Sequence, residues 1–140
     1  MVATLLSAVL LFAQPMGIEI TSDPLIRAGL WQMFADTRFG HAMNEEAAFI
    51  VRAADGALSL VRWPSSDAPH RSQWKAPVPA GAIAIAHTHP NGQPRPSIAD
   101  SRTAEQWNMP VYVVTRTRIA RTDGTHVETV VEGNWEPRPI

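Results

Sequence analysis

The chain has 140 residues, 45% hydrophobic and 18% charged, the balance of a folded domain and not of a disordered tail. A formal net charge of −1 argues against nucleic acid or an anionic membrane as a partner, and the absence of cysteine excludes thiolate zinc sites, disulfides and thiol nucleophiles. Any metal must then be held by imidazole and carboxylate.

In chain order, Met1–Ala13 is continuously apolar but shorter than the ~20 helical residues that span a bilayer, so no stable membrane span is expected. The run ends on the small residue Ala13 before Gln14 and Pro15, which favours an export signal over a buried N-terminal helix or strand, although no Lys or Arg precedes it. A signal would place the protein in the periplasm or outside the cell; without one it would be cytoplasmic. Residues 1–14 are therefore set apart from a single expected domain over 22–135.

Ser22-Asp23-Pro24 reads as a helix start, followed at helical spacing by Leu25, Ala28, Leu30, Trp31 and Phe34, with Gly40 as the stop. Ala47–Val51 and Ala57–Trp63 form a hairpin around Ala54-Asp55-Gly56, and Pro64–Pro79 is an exposed loop. Gly81–Ala86 reads as a strand packed on both faces and leads straight into His87-Thr88-His89-Pro90. After a loop over 91–96, Ser97 opens a second helix reaching about Trp107. Val111–Thr117 and Ile119–Arg121 read as strand, Asp123-Gly124 as a turn, Thr125–Val131 as the returning strand, and Gly133–Ile140 as an irregular cover. This order predicts a mixed α/β (α+β) fold, a curved, mostly antiparallel sheet with a helix on each side.

Two histidines separated by one residue at a strand end project to the same side, so His87 and His89 can converge on one ion. If Ser97 caps the second helix, Asp100 lies in its first turn and faces back toward His89. Two imidazoles and one carboxylate match a catalytic zinc site, which keeps a fourth position for water. With one anionic ligand the ion retains positive charge and can bring bound water from a pKa of about 15.7 toward roughly 7. Such a site needs a carboxylate to carry the water's proton to a leaving amine, and Glu45 or Glu46 can supply it. Competing patterns fail: H-E-x-x-H is absent, His-x-His-x-Asp would need Asp where Asn91 stands, and a His-x-His amidohydrolase barrel needs about 250 residues.

His87-Thr88-His89-Pro90, six residues, then Ser97-Ile98-Ala99-Asp100 resembles the signature of the JAMM (MPN or JAB) metalloproteases, and the small bacterial-type members most nearly. The resemblance implies a JAMM/MPN-like, cytidine-deaminase-like architecture, Zn2+ held by His87, His89 and Asp100, and Ser97 as an oxyanion stabiliser. It also implies an upstream catalytic Glu before two small residues and a hydrophobic strand. Glu45-Glu46-Ala47-Ala48 fits that register with Glu45 as the base and Glu46 in reserve, and Ala48 stands where the family usually has Gly.

The expected function is a zinc metallopeptidase or isopeptidase acting on a peptide or protein substrate by zinc-activated water. The alternatives are a metal-free interaction scaffold of the same fold and a zinc amidohydrolase acting on a non-peptide amide. Insertions suited to gripping ubiquitin are not found outside the Pro64–Pro79 loop. His41, His70 and His126 are read as surface or core residues, Arg95 as a solvated loop residue, and the five tryptophans as core or rim packing, since no Lys/Arg groove accompanies them.

Overall fold

The computed structural model describes residues 19–65 and 73–137. Met1–Ala13, and with it the expected export signal, lies outside the described residues, as do His70 and the middle of the Pro64–Pro79 loop.

Helix α1 (Pro24–Asp36) starts where the capping chemistry requires: Asp23 Oδ1 accepts from the Leu25 and Ile26 N–H groups at 2.9 and 3.2 Å, and Pro24 fills the first position. Its buried stripe is Ile26, Leu30, Met33 and Phe34, at i, i+4, i+7 and i+8. The face expected from Leu25 and Ala28 is therefore rotated by about one residue, and Leu25 is 74% exposed. The helix also ends before Gly40, because the Thr37 hydroxyl donates to the Phe34 carbonyl at 2.7 Å. Arg38, Phe39 and Gly40 then turn through φ of 55°, 54° and 81°, so Gly40 closes the turn after the helix.

Six strands follow: β1 (Ala47–Arg52), β2 (Leu58–Arg62), β3 (Ala82–Thr88), β4 (Val111–Val114), β5 (Arg118–Thr122) and β6 (Val127–Glu132). They form one sheet of order β2-β1-β3-β4-β5-β6, antiparallel throughout except for β3 beside β4. That parallel pair needs a crossover, and helix α2 (Ile98–Trp107) supplies it. Register shifts at Ile50/Val51 and Ile119/Ala120 are the places where a strand of this sheet can bend. The mixed α/β architecture with a mostly antiparallel sheet and a helix against each face is the one expected from the element order.

Side-chain alternation splits the core in two. Ala48, Ile50, Ala84, Ala86, Tyr112 and Val114 pack with α1, whereas Phe49, Ile85, Val111 and Val113 pack with Ala104 and Trp107 of α2. Strand β3 runs two residues past the expected end at Ala86 and so includes His87. Strand β4 stops at Val114, short of Thr117, because the Thr115 N–H turns back to the Arg118 carbonyl at 3.0 Å. The tail is more than a cover: Trp135 is buried, donates Nε1–H to the Thr115 carbonyl at 2.7 Å and meets Trp31 edge-on at 4.8 Å.

Candidate metal centre

Strand β3 turns His87 onto the α2 face of the sheet, directly opposite Ala47 of β1. His89 lies one residue beyond β3, yet its N–H still donates to the Val114 carbonyl at 3.0 Å, which prolongs the ladder with β4. The two imidazoles consequently stand 4.8 Å apart, centroid to centroid. The loop after them is pinned to the turn that follows α1: Asn91 donates from its backbone to the Gly40 carbonyl at 2.8 Å and from its side chain to Phe39 at 3.1 Å. A Cβ at Gly40 would meet Asn91 Oδ1 at 2.4 Å, so a side chain there would be strained at φ 81° and would have to displace Asn91.

Ser97 then caps α2. Its hydroxyl accepts the Asp100 N–H at 3.2 Å and its own N–H donates to Asp100 Oδ2 at 2.6 Å, a reciprocal capping box. The box holds the Asp100 carboxylate toward the histidines, with Oδ1 at 2.6 Å from His87 Nε2 and Oδ2 at 3.3 Å from His89 Nε2. Glu45, two residues ahead of Ala47 and on the same face, brings Oε2 to 3.5 Å from His87 Nδ1. Thus His87, His89, Asp100 and Glu45 are brought together, and Ser97 stands exposed at their rim.

This donor set fits a divalent cation. His89 Nδ1–H donates to the Gln93 carbonyl at 2.9 Å, which turns Nε2 toward Asp100 and, in the neutral ring, makes Nε2 the nitrogen available to a cation. His87 Nε2 is buried, with Asp100 Oδ1 as its near neighbour at 2.6 Å. Candidate ligand atoms of Glu45, His87 and His89 all lie within 4.8 Å of one another. This grouping of two imidazoles and the Glu45 carboxylate can therefore accept a metal, and the Asp100 carboxylate lies beside it.

Electrostatics point the same way. Burial alone would lower the His87 pKa, but the neighbouring Asp100 and Glu45 carboxylates override it and raise it from 6.5 to about 9. For Asp100, burial would raise the pKa, yet His87, His89 and the Ser97 N–H hold it far below the usual carboxylate range. Two largely buried carboxylates thus demand positive charge, which a proton on His87 supplies when no metal does.

Glu46, the reserve candidate, faces the other way. Its carboxylate bonds Arg62 at 3.0 Å and Ser65 at 3.1 Å, and its N–H donates to Thr88 Oγ1 at 2.9 Å. His41, Arg95 and His126 are exposed.

A cavity of about 410 Å³ opens beside the cluster, with Trp63, Ala47, Ile85 and Val111 among its lining. Trp63 is therefore part of the site surroundings as well as of the packing to which its aromatic character assigned it. The role of Gln93 could not be read from sequence, because it is exercised through a backbone carbonyl that every residue type carries. Among the described residues no helix is long and apolar enough to cross a membrane.

The family model for prokaryotic homologs of the JAB domain matches residues 28–130, which takes in most of α1, the first five strands, α2 and most of β6. No curated protein and no solved structure matches the chain. The match covers more than half of the sequence and includes Glu45, His87, His89, Ser97 and Asp100, so the chain belongs to the prokaryotic branch of the JAB (JAMM/MPN) domain family.

Proposed function

We propose that this chain is a zinc-dependent metallopeptidase or isopeptidase that hydrolyses an amide bond, with His87, His89 and Asp100 holding the ion and Glu45 moving the proton. The observation that carries the reading is the meeting of two imidazoles and two carboxylates at one end of a cavity large enough for a substrate segment. Zinc bound there would polarise a carbonyl and bring the pKa of a water toward about 7.

The chain's own groups would do the rest. Glu45 takes a proton from the attacking water and returns it to the departing amine nitrogen, a transfer that suits a carboxylate held at the rim of the cluster. Ser97 uses its oxygen as the acceptor in the helix cap, which leaves its hydroxyl proton to donate to the developing oxyanion. Asp100 is favoured as the ligand over Glu45 because its two oxygens face the Nε2 atoms of both histidines, whereas Glu45 addresses the Nδ1 side of His87.

The test combines zinc content with an unbiased amide-cleavage screen of peptides, isopeptides and small acylated amines. One zinc per chain is expected, retained by Glu45→Gln with loss of turnover and lost by Asp100→Ala. The opposite pattern would make Glu45 the ligand, and absence of stoichiometric zinc in the wild type would leave the scaffold reading. Cleavage confined to small acylated amines would make the protein an amidohydrolase of non-peptide substrates.

A further inference from the structure

The cavity beside the cluster has a composition that speaks to what enters it. Its floor is Ala47, Ile85 and Val111, neighbours across β1, β3 and β4 on the α2 face. Trp63, just past β2, lines it from the direction of β1, and Ala99 and Thr103, one turn apart on α2, line it from the helix. The Thr103 hydroxyl is committed to the Ala99 carbonyl at 2.9 Å. Away from Glu45, His87, His89 and Asp100, no charged side chain is among the described residues of the lining.

Trp63 is held by ring packing. Its ring packs against Phe49 at 5.3 Å, Trp74 at 6.1 Å and Trp107 at 6.3 Å. Trp74 and Trp135 donate their indole N–H groups to the Pro77 and Thr115 carbonyls. The Trp63 Nε1–H is buried and has no acceptor among the described residues.

We propose that this cavity receives an uncharged, apolar side chain adjacent to the scissile amide, with the Trp63 ring as a specificity-determining wall. The inference rests on the amide-hydrolase reading above and names its substrate class. A volume of about 410 Å³ suits one or two residues of substrate. A lysine or glutamate side chain entering the same space would be stripped of water with no counter-charge on the floor or the helical wall, while Glu45 and Asp100 are already engaged with the histidines.

Binding can be read without turnover. Zinc-loaded Glu45→Gln protein is titrated with N-acetyl-leucinamide, N-acetyl-phenylalaninamide and their lysine and glutamate counterparts, while the indole N–H resonances are followed by NMR. The Trp63 signal is the one missing in Trp63→Phe. The leucine and phenylalanine amides are expected to bind at least about tenfold more tightly than the charged pair and to move the Trp63 signal. Trp63→Phe should weaken that binding, and Thr103→Phe, which narrows the cavity from the helix, should weaken it for the phenylalanine amide most. Equal binding of charged and apolar amides, no binding of any, or binding that leaves the Trp63 signal unmoved overturns the proposal. Apolar-selective binding without cleavage of any amide by the wild type would remove the hydrolase reading and leave the pocket standing. Cleavage without apolar preference would do the reverse.

Discussion

Glu45 and Glu46 are consecutive in the chain and serve opposite faces of the sheet: Glu45 Oε2 lies 3.5 Å from His87 Nδ1, and Glu46 Oε2 lies 3.0 Å from Arg62 Nη2. Arg62 continues to Asp36 at 3.1 Å, so Glu46 ties the approach to β1 to both β2 and α1. Together with the Thr88 hydroxyl on its N–H, this clamp sets the backbone from which Glu45 projects.

The two glutamates should therefore fail differently. Glu45→Gln is expected to lower kcat by about 10²–10⁴ with zinc content and melting temperature preserved. Glu46→Gln is expected to lose about 1–3 kcal/mol of stability through its weakened bond to Arg62, with near-normal turnover per folded molecule. Denaturant melts alongside kinetics check both, and exchanged phenotypes would reverse the assignment.

Ser97 carries two separable burdens. Ser97→Ala should cost about 1 kcal/mol through the lost cap, whereas Ser97→Gly should cost only a few tenths. If the hydroxyl also donates to an oxyanion, both variants should lose about 10²–10³ in kcat irrespective of stability. Loss of stability alone in Ser97→Ala, with kcat intact, would reduce the residue to a cap.

Metal and proton compete for the same lone pairs. In the metal-free protein the His87 pKa stands at about 9 against 6.5 unfolded, so its protonated form stabilises the fold below pH 6.5, and that contribution is lost as pH rises through 9. Metal-free protein should melt at progressively lower temperature across pH 6.5–9. Zinc affinity should climb over the same window, by up to about tenfold per pH unit while one proton is displaced. His87→Gln should flatten the His87-linked fall in melting temperature, and a metal-free wild type whose melting temperature rises over this range would contradict the charge balance described.

Trp135 should matter more to the fold than its place in a tail suggests. It is 2% exposed, and Trp135→Ala removes both the T-shaped contact to Trp31 and the bond to the Thr115 carbonyl. A loss of about 3–5 kcal/mol is expected in urea melts, with zinc binding retained where the variant is folded.

Read alone, the sequence determined the element order, the mixed α/β class and the local geometry of the motif, because strand alternation and a capping serine act over a few residues. His87, His89, Ser97 and Asp100 could be placed relative to one another from spacing, since one loop joins them. Tertiary structure alone decided which face of α1 is buried, since the Leu25 and Ile26 patterns differ by a single residue and only the sheet selects between them. It also decided how Gln93 orients His89 and that Trp63 borders a cavity. Each depends on pairing between segments distant in the chain or on a backbone atom common to all residues, and neither leaves a mark in composition or periodicity.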